Sequence, residues 1–167
     1  MAPQKNDPAP DKEEFRALAR ELVAGQSTMT LASSQGDEAW AAPVYYIFRK
    51  SAFYFFSDPS SRHIQESVKS GQAASAIFAD ANTWEGIRGI QMSGKIEAVH
   101  AGLEAIEAIR AYLKKFSFTK GFFKSGQSID LDAFFKRFRV KLYRFTPELL
   151  YYMDNRFRFG FRDEVHL

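Results

Sequence analysis

Residues 53–71 read FYFFSDPSSRHIQESVKSG, and this stretch decides how the rest of the chain is read. Phe53, Tyr54, Phe55 and Phe56 favour a strand, Pro59 breaks the run, and Ser60 and Ser61 are good N-caps. The helix they open has apolar positions at Ile64 and Val68 and stops near Gly71. A buried strand therefore delivers a polar, cationic turn onto a helix start. Free backbone N–H groups, the positive end of the helix dipole, two serine hydroxyls and the Arg62 guanidinium all favour a phosphate oxygen there. The same spacing also suits a serine-capped surface helix carrying an ordinary arginine.

Upstream of this stretch, Asp11 and Glu14 form an acidic variant of a capping box. Phe15, Leu18, Ala19, Leu22 and Val23 recur at helical spacing as far as Gly25. Ser27 to Ser33 alternates, Gln35-Gly36-Asp37 offers a turn, and a second strand runs from about Ala39 to Phe48, so the three strands up to Ser57 form an antiparallel meander. Pro43 predicts an edge or a bulge in the second strand because it has no N–H for the ladder.

Downstream, AASAIFAD and IRGIQMSGKIEAVH read as strands, and Gly89 and Gly94 within the latter predict curvature or a close backbone approach. Ile106, Ile109, Leu113 and Phe116 predict a helix from Gly102 to Phe116. A loop is expected from Ser117 to Ile129, a short helix from Leu131 to Phe138, and two last strands around Arg139–Phe145 and Leu149–Asp154. Six or so antiparallel strands broken by short helices make an α+β domain dominated by a barrel.

The 167 residues suit one domain, expected over 11–167, behind a mobile tail over 1–10 that holds three of the six prolines. With 46% hydrophobic and 16% aromatic residues the chain has ample surface to bury. Zero cysteines exclude disulfides, thiolate nucleophiles and Cys-based metal sites. The absence of a long apolar run or a secretory h-region leads us to expect a cytoplasmic protein with no membrane partner. The net charge of +3 hides an asymmetry: residues 1–109 hold 10 basic and 14 acidic side chains, residues 110–167 hold 13 and 6. Lysines and arginines in the basic third alternate with phenylalanines that favour burial, so few cations converge, and no nucleic-acid partner is expected.

Taken together, FYFFS-DPS-SRH and the later strand IRGIQMSGKIEAV resemble the pyridoxamine 5′-phosphate oxidase-like superfamily of FMN-binding split barrels. In these proteins a hydrophobic strand, a Ser or Thr and a short turn lead to Ser-Arg-Lys at a helix start. The ending YYMDNRFRFGF is similar to a functionally unsettled bacterial branch of that superfamily. The resemblance implies a mostly antiparallel six-stranded split β-barrel with flanking short helices, acting as a homodimer that binds FMN at the subunit interface. It places Ser57, Ser61 and Arg62 around the phosphate. His63 stands where the pattern has lysine, and Pro43 and Phe48 fall about where the oxidases proper have an arginine and a lysine, so Arg62 is the one permanent cation of the cradle. The oxidases' closing tryptophan and arginine motif is absent, which sets this chain apart from the vitamin oxidase.

Around the expected ring, Tyr45, Tyr46 and Trp84 are candidate borders and Gln91 a candidate hydrogen-bond partner. Asn155 and Arg156 are candidates to cap the partner subunit's site. The expected function is FMN binding, with flavin-dependent oxidoreduction of a small-molecule redox substrate; no catalytic acid or base stands out. The alternative is a non-catalytic haem or flavin carrier, which keeps His63 and His166 in view because some split barrels bind haem through a histidine. His63, His100 and His166 are too far apart in sequence for a protein metal motif, and no metal site is expected.

Overall fold

The computed structural model describes residues 10–122 and 138–167. Helix α1 (Lys12–Gly25) starts where expected, with the Asp11 carboxylate accepting the Glu13 N–H at 3.2 Å. It buries Phe15, Ala19, Leu22 and Val23. Strands β1 (Thr28–Gln35), β2 (Glu38–Arg49) and β3 (Ala52–Ser57) form the antiparallel meander. Gly36 turns the first hairpin at a positive φ of 57°. Helix α2 (Arg62–Ser70) follows, then β4 (Ala73–Phe78), β5 (Arg88–Ala98), α3 (Leu103–Lys115), a short 3-10 helix (Ser117–Phe122), β6 (Lys141–Asp154) and β7 (Arg162–Glu164).

The strand order β3-β2-β1-β4-β5-β6 closes on itself through a β6–β3 pairing, giving a six-stranded antiparallel barrel with β7 added beside β6. This is the α+β split barrel that the resemblance implied. Strand parity fixes what goes inside. Met29, Leu31, Tyr46, Phe53, Phe55 and Phe145 point inward and are almost wholly buried, and each contributes about 1.5–3 kcal/mol through lost water contact. On the outside, α3 lays Ala108, Ile109 and Tyr112 against Ile47, Tyr54 and Leu142. Among the described residues the outward side chains of β1, β4 and β5, Thr30, Ala32, Ala74, Ala76, Gln91 and Ser93, are half-buried or exposed.

The loop expected from Ser117 opens as the short 3-10 helix, and one expectation about the strands is corrected. The two last strands are one, since β6 runs unbroken through Thr146 and Pro147. Pro147 fits because β5 yields to it: the β5–β6 register shifts at Ser93/Gly94, and a side chain at Gly94 would collide with the Thr146 carbonyl and Pro147 Cα. Pro43 lies in a strand with neighbours on both sides, yet β3 pairs only with residues Tyr46–Arg49 of β2. At Pro43 itself β2 therefore pairs with β1 alone, and the missing N–H costs no ladder bond. The bulge expected from the glycines of β5 is present. The tail over 1–9 and most of the helix expected over 131–138 lie outside the described residues.

Gly94→Ala should destabilise the fold by about 1–3 kcal/mol through backbone overpacking. Gly25→Ala, where an added Cβ meets nothing within 4 Å, should be close to neutral. Urea denaturation of the two variants checks the contrast.

Candidate functional site

Strand β3 ends at Ser57, and the turn after it is built by its own polar atoms. Asp58 Oδ1 accepts from the Ser60 N–H and the Ser60 hydroxyl, both at 2.7 Å. Ser61 occupies the N-cap position of α2, but its side chain does not cap the helix. The hydroxyl donates instead to the Asp58 carbonyl at 2.7 Å. Consequently the backbone N–H groups of Arg62 and His63, which have no acceptor within the helix, are not claimed by the expected serine cap.

Three of the predicted residues come together here. Ser57 Oγ lies 2.8 Å from His63 Nε2 and 3.1 Å from Ser61 Oγ, and Ser61 Oγ lies 3.4 Å from the same ring nitrogen. Ser57 and His63 are buried and Ser61 half-buried. Burial lowers the His63 pKa below its ordinary value, with the Glu66 carboxylate pulling the other way. The imidazole is therefore neutral at pH 7 and adds hydrogen-bonding capacity without charge.

Arg62 faces the other way. Its Nε donates to Glu66 Oε1 at 2.5 Å, its Nη2 to Glu38 Oε2 at 2.7 Å, and the guanidinium carbon sits 5.0 Å from the centre of the Trp40 ring. Glu66 is itself held by the Ser33 hydroxyl at 2.7 Å. That bond and the Arg62 pair keep its carboxyl below the usual carboxylate range. Sequence reasoning missed Glu38, Glu66, Ser33 and Trp40. The i,i+4 spacing of Arg62 and Glu66 was a visible signal for one pair; Glu38, Ser33 and Trp40 reach α2 only through the β1–β2 hairpin.

The remaining candidates are dispersed. Tyr45 packs its ring against Phe116 and Phe118, at 5.1 and 5.2 Å. Tyr46 is a core residue, its hydroxyl donating to the Val23 carbonyl at 2.7 Å, and so borders no ligand. Trp84 is half exposed and meets Phe159 edge-on. Asn155 is committed within its own chain, to the Trp84 carbonyl and the Gly160 N–H, and Arg156 is paired with buried Asp154. His166 is exposed, 3.9 Å from Glu164. Among the described residues no cluster of three or more His, Asp or Glu side chains could hold a metal ion.

Gln91 is exposed on the outer face, where its side-chain oxygen accepts from Arg162 Nη1 at 3.3 Å. The register there aligns Pro43, Thr30, Ala76 and Gln91 across four strands, beside a row of Ala41, Ala32, Ala74 and Ser93. A floor of such short side chains has low relief. Tyr45 points out of the same sheet two residues along β2 from Pro43.

No family model matches the chain. A UPF0306 protein, YhbP of Escherichia fergusonii, is 34% identical over 106 residues, which is 62% of this chain and 71% of that protein. The chain belongs to the UPF0306 family. A second UPF0306 relative, from Salmonella paratyphi A, is 29% identical over 136 residues, 80% of this chain and 90% of its own. Among solved structures, the UPF0306 fold matches a heme-binding protein from Mycobacterium smegmatis at a TM-score of 0.68 and 17% identity. That match covers 96% of this chain and 60% of the other, so this chain spans less than two thirds of its length. A FAD-binding protein from Mesorhizobium loti matches at 0.59 and 15% identity, over 80% and 90% of the two chains. A candidate pyridoxamine 5′-phosphate oxidase from Listeria innocua matches at 0.60 and 15%, over 81% and 95%. At these identities the likeness is one of fold. No helix among the described residues is long and apolar enough to cross a membrane.

The depressed His63 pKa has a stability consequence. A neutral buried histidine contributes stability that is full above the unfolded value of 6.5 and is lost as pH falls through the lower folded value. An NMR titration should place the His63 midpoint below 6.5, and His63→Gln should flatten the acid side of the stability profile; a midpoint at or above the ordinary value would contradict the buried geometry.

Proposed function

We propose that this UPF0306 chain binds flavin mononucleotide, as a homodimer, and serves a flavin-dependent oxidoreduction of a small molecule in the cytoplasm. The observation that carries the reading is the gathering of Ser57, Ser61 and the uncapped first-turn N–H groups of α2 at the end of β3, next in sequence to Arg62, whose guanidinium is turned toward Glu66 and Glu38. The donor set suits a phosphate monoester: two backbone N–H groups and the Ser57 hydroxyl supply neutral donors, the Ser61 proton being held by the Asp58 carbonyl, and the Arg62 guanidinium supplies charge once Glu38 gives way. The open, low-relief face carrying Gln91 and Tyr45 suits a planar ring and leaves room for a second subunit over it. Bound flavin would supply the electron chemistry, while the chain's residues hold the phosphate, orient the ring and exclude water. Gln91 presents an amide to the edge of such a ring.

The second reading is a carrier of haem or flavin without catalysis. Its support is the exposed ring of His166, available as an axial ligand, together with a fold shared with a heme-binding protein. His63 is the weaker haem ligand of the two, because its Nε2 is already bonded to Ser57.

Titration of FMN against the purified protein, followed by quenching of flavin fluorescence, should give saturable micromolar or tighter binding, and light scattering should return twice the chain mass of 19.1 kDa. Arg62→Ala should weaken FMN by about ten- to a hundredfold, as expected for removing a charge-assisted pair. Absence of quenching, with a Soret band on adding haem, would replace the flavin reading by the carrier reading; a monomer mass at micromolar concentration would remove the dimer.

A further inference from the structure

The three groups around Arg62 hold it in different ways. Glu66 is a fixture: its side chain is only 5% exposed and both oxygens are used, one by Arg62 Nε and one by the Ser33 hydroxyl. Trp40 lies against the guanidinium and sets its plane. Glu38 is different in kind. Its side chain is 77% exposed, it opens β2 directly after the hairpin turn, and among the described residues its carboxylate accepts from Arg62 Nη2 alone. Ion pairs this exposed are weak and easily exchanged.

These contacts leave the Nη edge of Arg62 as the side open to a ligand, with Nη1 unpartnered among the described residues and Nη2 taken by Glu38. The edge borders a groove of about 570 Å³ between the hairpin turn and α2, with Asp37, Ser60 and Gln65 on its walls, a volume in the range of small-molecule sites. Charge decides what happens next. One guanidinium with three carboxylates, Glu38, Glu66 and Asp37 on the groove wall, is a net anion, and a phosphate monoester brings close to two further negative charges. The two cannot share the edge unless Glu38 leaves.

Resting on the FMN reading, we infer that Glu38 is a resident counter-ion of the site, displaced from Arg62 when a phosphate monoester binds, while Glu66 and Trp40 keep the guanidinium aimed. Glu38 then sets specificity as well as affinity. A dianionic phosphate can outcompete a single carboxylate for a bidentate edge, whereas a flavin without phosphate gains nothing from the exchange.

The test compares FMN with riboflavin, which has the same ring and no phosphate, on wild type and Glu38→Gln. Glu38 is exposed, so the variant should fold as wild type does, and matched thermal melts check this. Removing the competing charge should tighten FMN by about two- to fivefold, the scale of an exposed ion pair, and leave riboflavin unchanged. Equal FMN affinity in the two proteins, or an equal gain for riboflavin, overturns the counter-ion role and leaves FMN binding standing. Failure of both proteins to bind FMN overturns the functional reading, and this inference with it. FMN bound by Glu38→Gln and not by wild type supports Glu38 as the group that holds the edge and overturns the reading of the wild-type chain as an FMN protein.

Discussion

Strand β6 carries the closure of the barrel. Its first residues pair with β3, nearly its whole length pairs with β5, and its far end pairs with β7. A 14-residue strand can satisfy three neighbours only if the sheet bends sharply. The bend occurs at Gly94, where the absence of a Cβ lets the Thr146 carbonyl and Pro147 approach the β5 backbone. With the ring closed, the edges of the six barrel strands are largely paired, and Phe53, Phe55 and Phe145 fill an apolar interior. The α2 helix inherits its position from that closure, since only the four residues 58–61 separate it from the end of β3.

The start of α2 separates two kinds of polar chemistry within a few residues. On one side the buried Ser57–His63 contact and the Ser61 hydroxyl form a neutral set of donors and acceptors. On the other, Arg62 is tied to Glu66 and Glu38 against the Trp40 ring. A cradle with several free cations would hold an anion at little cost in rearrangement. This one holds its single guanidinium already compensated, so whatever binds must compete with an internal carboxylate. That is a physical difference from the superfamily pattern, and it follows from Glu38 and Glu66 as much as from the lysine replaced by His63.

A split barrel offers a surface, and the side chains on it decide what is held. Here the rows of β2, β1, β4 and β5 carry mostly short side chains and give a low-relief face. In the proposed flavin reading the donors at the start of α2 meet the phosphate, and in the carrier reading the exposed His166 beside Glu164 meets the haem.

Much of this was legible in the chain itself. The 3.6-residue period of α1 and α3, the alternation of the meander, the serine-flanked turn before α2 and the glycines of β5 are local signals, and local backbone preferences are strong enough to set those elements. The contact between Ser57, Ser61 and His63 is also local, spanning six residues. Thr146-Pro147 misled for the converse reason: a proline normally ends a strand, and only the facing Gly94, more than fifty residues away, allows the strand to continue. Tyr46 could not be told from Tyr45 as a ring neighbour until the register put one inside the barrel and the other outside. The compensation of Arg62 belonged to tertiary structure above all, because Glu38 and Trp40 meet α2 only once the β1–β2 hairpin folds over it, and no local preference encodes a long-range ion pair.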